Sequence, residues 1–167
     1  EIEAARSNLD FDALRAISAK PEGFVNNDAR QDAWLCALGL TRDQAEADAS
    51  EWLTPGPDIS NPNDHVIQAD RNRSANFWDM HQQLRMGQRQ KRRNQMANVI
   101  YGVSRKHPRL QYYQGFSDIC LVFIEVFDNL NVAFHAAERF ALFFLSDFMC
   151  RPFNESITPL CFAIQTL

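Results

Sequence analysis

Apolar residues recur three or four positions apart along most of this 167-residue chain, which is the spacing of helices with one buried face. The spacing predicts a short amphipathic leader helix over residues 8–19, which ends before Pro21. A second helix should begin after Asn26 and Asn27, which are good capping residues, and close at Gly39. Two amphipathic helices are therefore expected at the start of the chain.

Thr41 and Gln44 have the spacing of a capping box, which predicts a third helix that continues through Leu53. Residues 54–63 include three prolines and a glycine, and this composition cannot form a helix. The stretch is predicted to be a connector within one domain.

Three further helices follow the connector. The first should begin at Asn63 or Asp64 and end near Asn76. The second is predicted over residues 89–106, where apolar positions keep helical spacing and basic residues crowd the last turn. The third covers residues 116–127 and is apolar on nearly every side, so it should be the central buried helix.

A longer helix is predicted to begin at Asn131, with its aromatic residues facing inward and with His135, Glu138 and Arg139 facing outward. Residues 156–167 have the pattern of the start of another helix. No alternation typical of strands and no internal repeat is visible. The predicted fold class is all-α, a globular bundle of roughly seven helices.

The composition, with 46% hydrophobic and 23% charged residues, is typical of one soluble globular domain. The net charge of −4 argues against sequence-independent binding to nucleic acid, and no nucleic-acid partner is expected. One basic run, Lys91 to Arg93, is interpreted as a solvated helix face rather than as a docking patch.

The four cysteines, Cys36, Cys120, Cys150 and Cys161, have no C-x-x-C spacing and are interpreted as reduced, cytosolic thiols. No histidine pairs with another histidine or with a cysteine at helical spacing, so no metal site is predicted. There is no signal peptide and no apolar run long enough to cross a bilayer. The chain lacks an initial methionine and stops inside an apolar pattern, so we expect it to be a piece of a longer protein.

Ile67, Asp70 and Arg73 recur at every third position of the predicted fourth helix, which places them on one broad face. At this spacing Asp70 can reach Arg73. The simplest interpretation is a surface ion pair. The alternative is an arginine that a carboxylate holds ready for a ligand, and Arg71 is a rival for that role.

Tyr112, Gln114 and Gly115 lie in a polar, aromatic loop that runs directly into the apolar segment 116–127. Gln114 therefore falls near the start of a helix, where side chains can point toward a ligand. We hypothesise that Arg73 and Gln114 act together on a phosphate that another protein holds.

Three short motifs carry a resemblance to a known family. They are R-x-x-x-W at Arg30 and Trp34, I-x-x-D-x-x-R from Ile67 to Arg73, and Y-x-Q-G from Tyr112 to Gly115, with Asp118 following. In this order they resemble the TBC domain of GTPase-activating proteins for Rab GTPases. The resemblance covers residues 26–167 as the N-terminal portion of such a domain, and residues 1–25 form a leader helix and connector.

The resemblance implies a role for each of these residues. Arg73 would be an arginine finger and Gln114 a glutamine finger, both acting in trans on the Rab. Asp70 would orient Arg73, Tyr112 would anchor the loop, and Gly115 would let the loop approach the nucleotide. Arg30 and Trp34 would brace the helix that carries Arg73.

The resemblance also implies a partner and a location. The partner would be a GTP-bound Rab GTPase, and the GTP and Mg²⁺ would belong to that Rab, so the chain would have no cofactor of its own. The wording around Arg73 and Gln114 is most similar to the subgroup of TBC domain family member 20 and its fungal relatives. Members of this subgroup act on Rabs of the early secretory pathway and carry a C-terminal membrane segment. The resemblance thus implies a location at the cytosolic face of the endoplasmic reticulum or Golgi, with the longer protein anchored through a C-terminal tail. This chain would not itself contact a membrane.

Two other functions stay open. The chain could be a helical module that recruits a Rab or an adaptor without accelerating hydrolysis, or a helical scaffold with no GTPase partner. Intact Arg73 and Gln114 favour the activator.

Overall fold

The computed structural model of the protein describes residues 2–8, 10–74, 86–151 and 155. Across these ranges every regular element is a helix, which confirms the predicted all-α class, with nine helices where about seven were expected. They are α1 (Ile2–Ser7), α2 (Phe11–Ser18), α3 (Asn27–Ala37), α4 (Arg42–Glu46), α5 (Asp64–Arg73), α6 (Met86–Lys106), α7 (Phe116–Val126), α8 (Leu130–Phe144) and α9 (Ser146–Met149). The predicted end near Asn76 and the predicted helix over 156–167 lie outside the described residues.

The predicted helix over residues 8–19 is present as α2, which begins three residues later than expected, and α1 before it was not predicted. The carboxylate of Asp10 accepts a hydrogen bond from the Ala13 amide at 2.9 Å and caps a new helix, α2. A side chain that caps in this way starts a helix instead of continuing one. Leu14 and Ile17 of α2 then pack with Ala33 of α3 in a small cluster of their own.

The capping box of Thr41 and Gln44 is present, but α4 ends at Glu46 instead of reaching Leu53. The carboxylate of Asp48 accepts hydrogen bonds from the amide and hydroxyl groups of Ser50, and this local turn competes with the helix. Ala49 is nevertheless fully buried. The apolar pattern was therefore correct about burial and wrong about conformation.

The core is built where α6, α7 and α8 meet. The prediction that α7 is the central buried helix is confirmed, since six of its eleven residues are buried. Gly102 lets α6 approach closely, because a Cβ atom at this position would lie 2.9 Å from the Phe134 ring and 3.0 Å from the Trp52 carbonyl oxygen. Any larger side chain at this position would force the helices apart.

The outward face predicted for α8 needs correction. Glu138 is buried, with 8% of its surface exposed, and the side chain of His135 is 13% exposed. Lys106 and His107 at the end of α6 contact the Glu138 carboxylate, at 2.9 Å and 2.5 Å respectively. These partners come from another helix, and the periodicity of α8 alone contains no sign of them. The helix is also capped by Asn129, two residues before the predicted start.

The basic run at the start of α6 is not a solvated face. Lys91 is exposed, but Arg92 and Arg93 are half-buried. Arg92 donates a hydrogen bond to the Ile124 carbonyl oxygen at 3.2 Å, and Arg93 donates one to the Ser74 carbonyl oxygen at 3.0 Å. The two arginines therefore tie α6 to its neighbours.

Cys36, Cys120 and Cys150 are free thiols in the described part of the chain, and Cys161 lies outside it. Within the described ranges no cluster of histidine, cysteine and acidic side chains could hold a metal ion. Among the helices of the described residues, none combines the length and the apolar character that a bilayer crossing requires.

Candidate functional site

The three residues of the I-x-x-D-x-x-R motif lie at different depths below the surface of helix α5. Ile67 is fully buried, Asp70 is 6% exposed, and the side chain of Arg73 is 66% exposed. The apolar residue anchors the helix, and the arginine at its last position projects to the surface. Only Arg73 of the three can therefore reach a partner.

The buried Asp70 carboxylate joins the two segments that the motifs predict. One carboxylate oxygen accepts a hydrogen bond from the Arg73 guanidinium, and the other accepts one from the Tyr112 hydroxyl at 2.7 Å. We call this pair of hydrogen bonds the Asp70 junction. It places the loop that carries Gln114 beside the end of α5, although the two segments are far apart in sequence.

The Tyr112 hydroxyl stays protonated and can act as the donor in this junction. Burial raises the pKa of Tyr112, a hydrogen bond with Ser117 acts in the opposite direction, and the hydrogen bond to Asp70 raises the pKa again. The prediction that Tyr112 anchors the loop through its ring and hydroxyl agrees with this geometry.

The loop before α7 is held by its backbone. The Gln111 amide donates to the Met149 carbonyl oxygen at 2.7 Å, and the Phe116 amide donates to the Tyr113 carbonyl oxygen at 3.0 Å. Gly115 is the N-cap of α7 and has a φ of 103°, a conformation that side-chain-bearing residues rarely adopt. The turn therefore requires a glycine at position 115. Gln114, one residue earlier, is exposed.

The remaining motif residues surround α7. Asp118 is exposed in the first turn of α7, where a negative charge is favourable near the positive end of the helix. The Trp34 ring packs edge-on against Phe123 of α7 with centroids 5.9 Å apart, and Arg30 donates to Asn27, which in turn donates to the Val126 carbonyl oxygen. The contacts of Arg30 and Trp34 thus lead to α7, the helix after the glutamine, instead of to the arginine helix as predicted.

A sequence model of the Rab-GTPase-TBC domain matches residues 27–167. The chain belongs to this family. The resemblance drawn from the three motifs is thereby confirmed at the level of the family, while the subgroup stays a prediction. One similar relative is the GTPase-activating protein GYP8 of Saccharomyces cerevisiae, which is 32% identical over 173 residues. The match covers 90% of this chain and 33% of that protein, so the chain spans about a third of its length.

Arg71 of the TBC domain, the rival of Arg73, is engaged elsewhere. Its guanidinium donates to the Gln68 side chain at 3.1 Å and to Asn94 of α6. These contacts turn Arg71 toward the neighbouring helix, whereas Arg73 remains at the surface with Asp70. The geometry therefore favours Arg73 as the residue that meets a partner.

Two residues of this site were missed in the sequence. Ser117 is buried beside Tyr112, and Arg93 reaches the backbone at the end of α5. A signal for Arg93 does exist, because it lies three residues before Met96 and seven before Ile100 on the buried face of α6. A charge at such a position indicates a partner inside the fold.

Proposed function

We propose that this chain is a GTPase-activating domain that accelerates GTP hydrolysis on a Rab GTPase by presenting Arg73 and Gln114 in trans. The observation that carries the proposal is the Asp70 junction, which ties an exposed arginine to the segment of an exposed glutamine. Membership in the Rab-GTPase-TBC family and the similarity to a yeast GTPase-activating protein support the same activity.

Arg73 suits the first task of such a reaction. In phosphoryl transfer, negative charge spreads over the transferred group and the leaving oxygen, so a fixed cation lowers the barrier. A guanidinium is permanently charged and planar, and it can donate to two phosphate oxygens at once. In the Asp70 junction one edge of the guanidinium contacts the carboxylate, and the exposed remainder is available to a phosphate.

Gln114 suits the second task. An amide group offers both a donor and an acceptor, so it can hold the attacking water and contact a phosphoryl oxygen together. The rigid turn at Gly115 and the anchor at Tyr112 keep the Gln114 backbone in place, which reduces the entropy lost when the water is positioned.

The GTP and Mg²⁺ belong to the Rab in this proposal, and the chain contributes side chains without a cofactor of its own. We further propose, on the resemblance to the subgroup of TBC domain family member 20, that the Rab serves the early secretory pathway. The chain would then act at the cytosolic face of the endoplasmic reticulum or Golgi.

A hydrolysis screen over a panel of GTP-loaded Rab GTPases tests the function directly. We expect at least one Rab to hydrolyse GTP roughly a thousandfold faster or more in the presence of the full-length protein. A pull-down with the same panel is the companion measurement. Binding without acceleration would favour a recruiting module, and the absence of any GTP-dependent binding would favour a scaffold.

The role of Gln114 predicts how a Rab without its own switch glutamine behaves. Because the amide in trans would position the water, that Rab variant should still be stimulated by the native chain. Stimulation of native Rab by Gln114→Ala should fall by about a hundredfold or more, the cost typical of removing one transition-state hydrogen bond. Single-turnover phosphate release measures both. If the chain does not accelerate hydrolysis by the Rab variant at all, the glutamine of the Rab itself positions the water.

A further inference from the structure

Helix α6 runs antiparallel to α5 and contacts it at three levels. Near the start of α5, the Tyr101 hydroxyl donates to Asp64, and in its last turn Arg71 donates to Asn94. At its end, the Arg93 Nε group donates to the Ser74 carbonyl oxygen at 3.0 Å. The third contact lies directly beside Arg73.

Ser74 is the residue at which the chain leaves the helix. Its amide still donates to the Asp70 carbonyl oxygen at 2.7 Å, but its ψ of 161° is extended. The last carbonyl groups of a helix have no partner within the helix, and Ser74 is only 9% exposed, so its carbonyl oxygen needs a donor from elsewhere. Arg93 supplies that donor together with a positive charge, which is favourable at the negative end of a helix.

The backbone under Arg73 is therefore held from both sides. On one side the Asp70 junction ties it to the loop of Gln114, and on the other side Arg93 ties the next residue to α6. The Arg73 side chain itself is largely exposed, so its direction depends on this backbone as well as on its hydrogen bond to Asp70. A misplacement of about 1 Å in a catalytic group can cost a hundredfold in rate.

We propose that Arg93 is a positioning residue for the arginine finger, which acts by clamping the Ser74 carbonyl group at the end of α5. The inference rests on the proposed function, because it concerns how Arg73 is aimed at the nucleotide of a Rab. Arg93 stays within the fold and need not touch the nucleotide.

The neighbouring Arg92 provides a matched control. It is also half-buried on α6, and it donates to a carbonyl oxygen in the last turn of α7, that of Ile124, as well as pairing with Glu125 at 2.8 Å. Replacing either arginine with methionine keeps the apolar stem and removes the donor. Only Arg93, however, contacts the residue that follows the finger.

The experiment compares Arg93→Met with Arg92→Met in the full-length protein by single-turnover GTP hydrolysis over a range of activator concentrations. Arg93→Met should lower the plateau rate by about tenfold or more and change the half-saturating concentration less than about threefold. The reason is that the Arg73 side chain would be misplaced while the affinity for the Rab would stay nearly the same. Arg92→Met should leave the plateau within about twofold. Equal plateau losses in the two variants, or a loss confined to half-saturation, would overturn the inference.

A double variant separates positioning from a general loss of stability. If Arg93 acts through Arg73, the pair Arg73→Ala and Arg93→Met should be no slower than Arg73→Ala alone. Multiplied losses would overturn the inference while leaving the function intact. Full acceleration by Arg73→Ala would overturn the proposed function and this inference with it.

Amide hydrogen exchange gives a readout that needs no Rab. The Ser74 amide should exchange faster in Arg93→Met than in Arg92→Met, because the clamp on that residue is gone. If Arg93→Met fails to fold, Arg93→Lys replaces it as the test variant. Lysine can still donate to the Ser74 carbonyl oxygen, so this variant should keep the native protection of the Ser74 amide and most of the native plateau rate. Unchanged protection in Arg93→Lys together with a lost plateau would speak against the clamp.

Discussion

Replacing Arg73 with alanine should lower the acceleration of Rab GTP hydrolysis by roughly three to five orders of magnitude, or about 4 to 7 kcal/mol of transition-state stabilisation. The loss is large because the guanidinium would be the only cation that the chain adds to the reacting phosphates in the proposed mechanism. Arg73→Lys should recover little, since an ammonium group cannot make two parallel hydrogen bonds to the phosphate oxygens. Single-turnover phosphate release on the Rab found by the panel screen measures the effect.

Arg71→Ala is the matched control for this prediction. Arg71 lies on the same helix two residues earlier and is bonded to Gln68 and Asn94 instead of standing at the surface. Its replacement should leave most of the acceleration in place. If instead Arg71→Ala abolishes acceleration and Arg73→Ala keeps it, the arginine has been assigned to the wrong residue. Binding of both variants to GTP-loaded Rab should be retained and checked by pull-down.

The second large effect concerns stability and centres on Glu138. Replacing Glu138 with alanine should lower the free energy of unfolding at pH 7 by about 3 kcal/mol. The substitution removes the buried carboxylate that Lys106, His107 and His135 contact. Urea unfolding followed by circular dichroism measures the loss. Glu125→Ala is the control, since the Glu125 carboxylate pairs with Arg92 nearer the surface and should cost about 1 kcal/mol or less.

The same carboxylate predicts an acid limit. Burial raises the pKa of this carboxyl group, but hydrogen bonds from His135, His107 and Lys106 outweigh burial and lower the pKa to about 2. A pKa lower in the folded state than the ordinary value of 4.5 means that the carboxylate stabilises the fold above about pH 4.5. That stabilisation, about 3 kcal/mol, is lost as pH falls from there toward 2.

Glu138→Gln should therefore flatten the fall in stability between pH 4.5 and the lowest pH at which the native protein still folds. The amide is close in shape to the carboxylate but does not titrate. Urea midpoints measured at half-unit steps of pH would show this. An acid dependence as steep in Glu138→Gln as in the native chain would mean that other carboxylates carry the transition.

Much of the fold could be predicted from the spacing of apolar residues, since burial of one helix face depends on nearest neighbours along the chain. The central helix α7 was found in this way, and the capping box was found from the spacing of Thr41 and Gln44. Where a polar side chain accepted a hydrogen bond from a backbone amide two or three residues later, as at Asp10 and Asp48, the same pattern gave a wrong helix boundary. Local hydrogen bonds of this kind compete with the helix and leave the apolar periodicity unchanged.

For the candidate site, the sequence alone determined which residues to examine. The motifs from Ile67 to Arg73 and from Tyr112 to Gly115 name the arginine, the glutamine and the family, because each motif is a short local spacing. Only the tertiary structure decided that Asp70 joins the two motifs, that Arg93 holds Ser74, and that Glu138 is buried among partners from α6. These contacts link segments far apart in the chain, and they form only once packed helices have brought a buried polar group to the donor that it needs.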